Sequence, residues 1–421
     1  MSFNGSGTYT LPGAALNTGD TVSATENNTL RNDMATAFNK TLCRDGQATP
    51  TANLPMGGFK LTGLAAGTAS GESVRYDEFN ALNTSNFGFR NRIINGAMMI
   101  DQRGSASSPT NVNGAYSVDR FFLSKGGSGV FTLGQSTTAP SGFKNSLVAT
   151  VTTSATVGST DYYDIGCYLE GNNTADFGWG TASASTVSFS FWVRSSVTGV
   201  YSFELRNGAA NRSITYNYTI AAANTWQQVT QTIVGDTTGT WATDNTSGIQ
   251  IIFPMATGSN YTTATTGTWQ AGNYNASTSA VTTWPNTVGN TFYITGVQLE
   301  KGSTATSFDY RPYSTELALC QRYACVIPST GSGLAGPVGS LYGSTAGRVW
   351  YKHPVTMRAS PTFTATSNNF SIVAVGTGTG TVANYQYSTE ITTFDGTSLS
   401  FSGSAGNSLV FGGGGIISAE L

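Results

Sequence analysis

The middle of the chain alternates apolar and polar residues in short runs that are separated by turns. The alternation is clearest in TVSFSFWVRS (186–195), GVYSFELRN (199–207) and RSITYNYTI (212–220). Because successive side chains of a strand point to opposite faces of a sheet, this period predicts strands with one buried and one solvated face. Turn residues recur about every 8–14 positions from Asn91 to Asp309. This spacing predicts an antiparallel sandwich.

The charge content excludes several classes of partner. Only 10% of the residues are charged and the net charge is −2, whereas roughly 25% are charged in an ordinary soluble domain. Such a chain offers no basic surface for nucleic acid or for anionic lipid. The N-terminus is polar and no 18 consecutive residues are apolar. We therefore expect no nucleic-acid partner, no signal peptide and no membrane insertion.

Cysteine and histidine are too sparse for a metal site. The four cysteines (Cys43, Cys167, Cys320 and Cys325) share the chain with one histidine, His353, and Cys-x4-Cys with a single histidine is not a zinc pattern. We expect free thiols, no metal and no cofactor. No acidic residue lies between Glu316 and Glu390 to orient the imidazole, so we interpret His353 as a strand residue of a structural domain.

Three segments outside the sandwich have helical or mixed patterns. Ser23 and Glu26 form a capping box that predicts a helix over about 24–42, and PYSTELALCQRYACV predicts another over 312–326. Between them, residues 53–82 combine alternating apolar residues with a short helix and are too thin to enclose a core. We predict that identical chains bury these N-terminal apolar faces together. The side chains assigned to attachment and oligomerisation are Leu30, Met34, Phe38, Met56, Phe59 and Leu61.

The predicted architecture is mostly β and has four parts. It combines a short N-terminal helical and extended segment, an antiparallel jelly-roll-like sandwich, a connecting helix and a small C-terminal β domain. The predicted boundaries are 1–90 for the attachment and oligomerisation region, 91–311 for the sandwich, 312–327 for the helix and 328–421 for the C-terminal domain.

Four blocks of sequence, in this order, resemble bacteriophage tail fibre and tail appendage proteins. NLPMGGFKLTGLAAGTASGESVRYDEF (53–79) resembles their N-terminal attachment motif, and NRIINGAMMIDQRG (91–104) with YSVDRFFL (116–123) resembles the opening of a sandwich domain. ITGVQLEKGSTATSFDYRPYSTELALCQRYACV (294–326) resembles the last strand of that domain and the helix that leaves it. HPVTMRASPTFT (353–364) resembles a strand motif of the C-terminal domain.

The resemblance implies a homotrimeric virion protein, made in the host cytoplasm, whose N-terminal part binds the tail or neck. Its sandwich would resemble a carbohydrate-binding module, and its distal domains would face the host. We expect them to bind host surface glycan without cleaving it. A structural appendage, such as a collar or adaptor fibre that recognises no host, remains an alternative. A glycan-depolymerising tail spike is a more distant alternative.

Glycan binding requires aromatic platforms with hydrogen-bonding groups on rigid loops. The region 261–286 is loop-like and aromatic, and further tryptophans lie beside turns. The candidate glycan-binding residues are Tyr261, Trp269, Tyr274, Trp284, Trp179 and Trp241. Trp192 and Phe203, in alternating strands, are assigned to the core. Cleavage would instead need two carboxylates within roughly 5–10 Å. The carboxylates considered for it, and interpreted as solvated or turn-forming instead, are Asp161, Asp164, Glu170, Asp176 and Glu204.

Overall fold

The structure, a computed structural model, forms two compact units, Met1–Asn80 and Ala81–Leu421, and we describe each by itself. The predicted domain boundaries are not tested by this division and stay predictions. The residues that the structure describes are 18–19, 21, 23–38, 65, 89–327, 337–344, 346–365, 369–372, 376–379, 381–397, 408–411 and 415–421.

The first unit contains helix α1, Ala24–Phe38. The capping box is confirmed, because the Ser23 amide donates to Glu26 Oε2 over 3.0 Å and the Glu26 amide donates to Ser23 Oγ over 3.1 Å. The backbone hydrogen bond from Ser23 also lowers the pKa of Glu26. The predicted end of this helix, 39–42, and the second short helix lie outside the described residues.

The second unit begins with an antiparallel sandwich, as predicted. One sheet has six strands in the order β1-β4-β9-β6-β7-β11, and the facing sheet has five in the order β2-β3-β13-β5-β8. A short parallel pair, β10 and β12, lies beside them. The bounds are β1 Phe121–Lys125, β2 Val130–Ser136, β3 Ser146–Thr153, β4 Tyr162–Glu170, β5 Val187–Ser195, β6 Gly199–Asn207, β7 Arg212–Ile220, β8 Gln227–Ile233, β9 Ser247–Thr257, β10 Thr262–Thr263, β11 Gln270–Ala271, β12 Ala276–Ser277 and β13 Thr291–Lys301.

The core follows from the two-residue period of these strands. Phe189 and Phe191 of β5 point inward and meet Phe203 of β6 at ring-centroid distances of 4.9 and 5.7 Å. Phe203 is therefore a core residue, as predicted. Each inward aromatic ring removes a large apolar area from water, and this burial is the main force that holds the two sheets together. The intervening residues of the same strands point away from the core.

A connecting helix and a second set of sheets complete this unit. Helix α2, Tyr313–Gln321, is followed by a three-stranded sheet in the order β14-β23-β17 and a seven-stranded sheet in the order β19-β18-β22-β15-β16-β21-β20. The strands are β14 Ala324–Ile327, β15 Val338–Leu341, β16 Gly347–Lys352, β17 Thr362–Ala365, β18 Asn369–Ile372, β19 Gly376–Thr379, β20 Thr381–Tyr387, β21 Ile391–Thr397, β22 Ser408–Phe411 and β23 Gly415–Ser418. The mostly β fold class is thus confirmed.

Two expectations about this region need correction. The predicted helix over 312–326 ends at Gln321, and Ala324–Ile327 is a strand that pairs with Gly415–Ser418. Backbone pairing with a distant strand overrides the local helical pattern here.

His353 does not lie within a strand but directly after β16. Its ring is buried and bonds through Nδ1 to the Thr389 carbonyl over 3.0 Å and through Nε2 to Thr392 Oγ1 over 2.9 Å. Its role is therefore structural, as expected.

Buried ion pairs tie the end of the chain to the sandwich. The Glu420 carboxylate contacts Arg120 and lies 3.0 Å from Arg103 Nη2. Arg103 also contacts Asp119 over 3.2 Å, and the Arg120 guanidinium lies 3.5 Å from the centre of the Tyr323 ring. The side chains of Arg120 and Glu420 are only 3% and 7% exposed. The last residues of the chain therefore stabilise the start of the sandwich.

Candidate functional site

Three of the candidate tryptophans form one cluster at the edge of the sandwich. The ring centroids of Trp179 and Trp241 lie 4.8 Å apart, and each lies 5.2 Å from the Trp269 ring. All three contacts are edge to face, the geometry that aromatic quadrupoles prefer. The structure therefore brings together residues that lie 90 positions apart in the sequence (179 to 269).

The polar atoms of this tryptophan cluster are used inside the protein. The indole N–H groups of Trp179 and Trp269 donate to the backbone carbonyls of Ser185 and Val234 over 2.9 and 2.8 Å. That of Trp241 donates to Asp236 Oδ2 over 3.3 Å. Trp179 is buried and the other two rings are half-buried. The cluster therefore mainly stabilises the edge of the sandwich and leaves only parts of two rings for a ligand.

A bidentate ion pair supports the tryptophan cluster. Arg212 Nε and Nη2 each donate to the Asp236 carboxylate over 2.7 Å. Burial alone would raise the pKa of Asp236, but the hydrogen bonds from Arg212 and Thr238 outweigh it, and the pKa is lowered. Asp236 therefore stays ionised and holds both Arg212 and the Trp241 indole in place.

The other three aromatic candidates lie apart. Tyr261 is half-buried and packs edge-on against Tyr162 at 5.6 Å, and Tyr274 is half-buried on the segment that follows β11. Trp284 is fully buried and packs edge-on against Phe131 at 5.6 Å. Contrary to its expected place on a surface loop, Trp284 lies in the core because its ring fills the space between the two sheets. It does not reach a ligand at the surface.

An aromatic surface that the sequence analysis missed lies on the outer face of the five-stranded sheet. We call it the aromatic strip and define it as Trp192, Trp226 and Tyr293, all half-buried. The rings of Trp226 and Tyr293 lie 6.0 Å apart, and the Arg194 guanidinium lies 4.8 Å from the Tyr293 ring. In the sheet, Trp192 lies opposite Gln228 on one neighbouring strand and Thr295 on the other. The aromatic strip thus combines flat apolar rings with polar groups on a rigid sheet.

The assignment of Trp192 to the core is wrong, although the alternation of residues in β5 indicates its true position. Phe189, Phe191 and Val193 point into the core, so the alternation places Trp192 on the opposite face with Ser190 and Arg194. The size and apolar character of the ring suggested burial, whereas the phase of the strand indicated exposure. The strand period correctly predicts the face of each residue.

A second aromatic group extends this surface. Phe143, Phe308 and Tyr310 contact one another at ring distances of 4.8–5.6 Å, and Tyr310 is 52% exposed. Gly296 joins this group to the aromatic strip, because a Cβ at this position would lie 2.6 Å from the Phe143 ring and 3.0 Å from Trp192 Cδ1. Gly296 also has a φ of +62°. Only glycine allows both the close approach and this backbone conformation without strain.

Three of the five candidate carboxylates have structural contacts. Asp161 accepts the Gly158 amide over 2.9 Å, which closes a turn. Asp176 pairs with Arg92 over 2.9 Å at the surface. Burial acts to raise the pKa of Glu170, but hydrogen bonds from Arg322 over 2.6 and 3.0 Å, with one from Tyr323, lower it overall.

The remaining two carboxylates, Asp164 and Glu204, lie on the outer face of the six-stranded sheet. They are 2% and 0% exposed. Burial raises their pKa values, to about 7 for Asp164 and about 8 for Glu204, although Arg206 acts in the opposite direction on both. Paired carboxylates with raised pKa values are a feature of glycosidases, but a polymer cannot reach groups that are this deeply covered.

The remaining sequence expectations concern attachment, thiols, metals and membranes. Leu30 and Met34 of α1 are half-buried, whereas the side chain of Phe38 and the residues Met56, Phe59 and Leu61 lie outside the described residues. The three cysteines in the described part, Cys167, Cys320 and Cys325, are buried free thiols, as expected. Among the described residues, no helix is long and apolar enough to span a membrane, and no three His, Cys, Asp or Glu side chains are grouped to hold a metal.

Comparisons with known proteins give distant structural similarities. No family model and no curated protein matches the chain. Solved structures with similarity include a tailspike protein 4 domain of bacteriophage CBA120, at 14% identity over 51% of this chain with a TM-score of 0.29. That structure is described as the enzymatically active domain of the tailspike, and this chain spans only 22% of its length.

Carbohydrate-binding modules are also among the similar structures. The family 11 module of Clostridium thermocellum, solved with a mixed-linked tetrasaccharide, matches at 11% identity over 48% of this chain and 96% of its own, with a TM-score of 0.26. The N-terminal cellulose-binding domain of a Cellulomonas fimi glucanase matches at 14% identity over 41% of this chain and 85% of its own, with a TM-score of 0.22. We draw no functional conclusion from similarity at this level.

Proposed function

We propose that this chain binds a carbohydrate through the aromatic strip and does not cleave it. The observation that carries the proposal is the half-exposed row of rings on the outer face of the five-stranded sheet, with Arg194 beside it. Aromatic faces bind the apolar faces of sugar rings, while nearby polar groups bind the hydroxyls. The sheet fixes the rings before the ligand arrives, which reduces the entropic cost of binding.

The polar surroundings of the aromatic strip suit an uncharged or weakly charged glycan. Gln228 and Thr230 are exposed on the adjacent strand β8, and Arg194 donates to the Asn224 carbonyl over 2.8 Å, which fixes its position. The side-chain amide, hydroxyl and guanidinium groups can all bond to sugar hydroxyls. Single sites of this kind bind weakly, but several copies on one particle would bind firmly by avidity.

We further propose that the protein is a virion component that binds host surface glycan and joins a phage tail or neck through residues 1–90 as a homotrimer. The resemblance of four sequence blocks supports this proposal, and so does an N-terminal segment that is too thin to enclose a core alone. The structural-appendage alternative would leave the aromatic strip to bind another protein.

Measuring the molecular mass of the particles in solution, with and without residues 1–90, tests the trimer. Removal of residues 1–90 should convert three-chain particles into single chains.

The binding proposal is tested with glycan from host cells and with single variants. We expect Trp192→Ala and Tyr293→Ala to weaken binding by about 1–3 kcal/mol each, the usual value of an aromatic contact at the centre of an interface. Trp350→Ala is the matched control, because Trp350 is a 45% exposed tryptophan on strand β16, away from the sandwich. Trp269→Ala tests the tryptophan cluster in the same assay.

Reducing sugar is followed in the same samples. Binding that depends on Trp192 and Tyr293, without release of sugar, supports the proposal. Binding that depends on Trp269 alone would move the site to the tryptophan cluster. Released sugar would contradict the non-cleaving role. A folded protein that binds no glycan would favour the structural appendage.

A further inference from the structure

A group of buried oxygen atoms lies on the outer face of the six-stranded sheet. Asp164 of β4 and Glu204 of β6 flank the central strand β9, opposite Pro254 and Ile252 respectively. Both side chains point away from the sandwich core, because their strand neighbours, such as Ile165 and Phe203, fill it. The two carboxylates therefore face the same side of the sheet across one strand.

A segment of the chain, residues 273–277, covers these carboxylates. Asn275 Nδ2 donates to Asp164 Oδ2 over 2.7 Å, and the Ser277 amide donates to Ser202 Oγ over 3.0 Å. Thr215 Oγ1 donates to the Tyr274 carbonyl over 2.7 Å. The segment is thus fixed to the sheet at three strands and carries the Asn275 side chain to the carboxylates.

Four oxygen atoms of this group receive no hydrogen bond from any described residue. They are Asp164 Oδ1, both carboxylate oxygens of Glu204 and Asn275 Oδ1. The three residues are 2%, 0% and 4% exposed. Buried polar atoms in folded proteins are nearly always satisfied, and leaving one without a partner is unfavourable. Four such acceptors on three residues, two flanking one strand and the third bonded to one of them, therefore indicate a missing donor or cation.

Among the described residues, the cation that acts on both carboxylates is Arg206, and it does not supply that partner. Arg206 donates through Nε to Gln250 Oε1 over 2.8 Å and through Nη1 to Asn273 Oδ1, and it lies 3.5 Å from Glu204 Oε2 without a hydrogen bond. Its single charge faces two carboxylates, so one negative charge remains uncompensated when both are ionised. A buried charge in this state is strongly unfavourable.

We propose that Asp164, Glu204 and Asn275 bind a hard metal cation of the Ca²⁺ type. Carboxylate and side-chain amide oxygens are the ligands that Ca²⁺ prefers, and it takes about 6–8 of them at about 2.3–2.6 Å, with water completing the set. Glu204 can bind through both oxygens, and Asp164 and Asn275 through one each. The third ligand is an amide, Asn275. The site is therefore compatible with the finding that no three His, Cys, Asp or Glu side chains of the described residues are grouped to hold a metal.

Protons are the competing occupants of these oxygens. Asp164 and Glu204 are 2% and 0% exposed, and a carboxylate has to be deprotonated to bind a metal, so protons compete with a cation for these oxygens. A cation has to displace these protons, and its affinity therefore increases with pH. Binding is measured at pH 8 for this reason. In the bound state the cation would hold the covering segment to the sheet.

The test measures the metal content and the thermal unfolding of the full chain at pH 8. The protein is stripped with EDTA, supplied with Ca²⁺ alone and desalted before elemental analysis. We expect one Ca²⁺ per chain and a melting temperature that rises with Ca²⁺ concentration. The double variant Asp164→Asn with Glu204→Gln should retain no Ca²⁺ and melt independently of it. Asp176→Asn, which removes a surface carboxylate 46% exposed, is the matched control and should bind as the parent does.

A third variant keeps the test decisive if the double variant does not fold. Asn275→Asp keeps the oxygen and adds a charge, so its melting temperature should rise more with Ca²⁺ than that of the parent. Absence of bound Ca²⁺ in the parent at pH 8 would overturn the proposal. Protons, and not a metal, would then be the partners of the buried carboxylate oxygens. Retention of Ca²⁺ by the folded double variant, or a smaller Ca²⁺ response in Asn275→Asp, would also overturn it.

Discussion

The C-terminal ion pairs predict that one residue near the end of the chain controls the stability of the large unit. Replacing Glu420 by alanine removes the carboxylate that faces Arg120 and Arg103, whose side chains are 3% and 11% exposed. Arg120 then keeps its charge without a carboxylate partner. Removing one partner of a buried pair costs about 3–5 kcal/mol, because the other charge stays buried.

The expected size of the effect can be checked against an exposed ion pair of the same protein. Arg92 and Asp176 lie 2.9 Å apart, but their side chains are 27% and 46% exposed. Water screens such a pair, and Asp176→Ala should cost only about 0–1 kcal/mol. We therefore expect the melting temperature to fall by roughly 5–10 °C for Glu420→Ala and by little for Asp176→Ala.

Urea denaturation followed by tryptophan fluorescence measures both variants. The double variant Arg120→Met with Glu420→Met serves as a further control, since an apolar replacement of both partners removes the unpaired charge. It should be more stable than Glu420→Ala. Equal costs for Glu420→Ala and Asp176→Ala would refute the reasoning, because burial would then not govern the strength of these pairs.

Three further predictions concern titration and packing. In the metal-free folded protein, Asp164 and Glu204 keep their protons up to pKa values of about 7 and 8, whereas the unfolded chain releases them near pH ~4. The free energy of unfolding should therefore fall as the pH rises from the unfolded to the folded pKa values. The double variant Asp164→Asn with Glu204→Gln should show a smaller dependence of this free energy on pH in urea titrations. Burial lowers the pKa of His353, so the stability of the folded protein should fall as the pH drops below ~6.5. His353→Asn should remove this loss. Thermal melts of both proteins at pH 5 and pH 7 measure it. Gly296→Ala should cost about 1–3 kcal/mol and displace Trp192, which weakens glycan binding in the same assay; unchanged binding would contradict the proposed location of the site.

The alternation of residues predicted the sandwich well because strand period and burial are coupled locally. In β5 every second residue from Val187 to Val193 belongs to the hydrophobic core, and the residues between them do not. The error at Trp192 arose from weighing the size of a side chain above its phase. The strand phase decides on which face a residue lies, and a large half-buried ring on an outer face is therefore a candidate binding residue.

Contacts between distant segments could not be predicted from the same signals. Trp179, Trp241 and Trp269 meet because the order of strands in the sheets brings three loops to one edge. The sequence around each tryptophan does not indicate that order. The early end of α2 has the same cause: the pattern from Ala324 to Ile327 fits either element, and the partner strand Gly415–Ser418 decides. Likewise, Asp164 and Glu204 become a group only when Asn275 covers them.

The two outer faces of the sandwich differ in what covers them, and this difference bears on the proposed binding role. On the six-stranded sheet, the segment 273–277 seals the paired carboxylates, so hydrolysis there would need this segment to leave the sheet. On the five-stranded sheet, Thr306 and Asp309 cover only part of the face, through hydrogen bonds to Glu300 and Gln298 of 2.7–2.8 Å. The aromatic strip lies elsewhere on that face, and its half-buried rings are partly exposed without any movement. A binding role therefore requires no rearrangement, whereas a hydrolytic role requires breaking the contacts that hold Asn275 to Asp164.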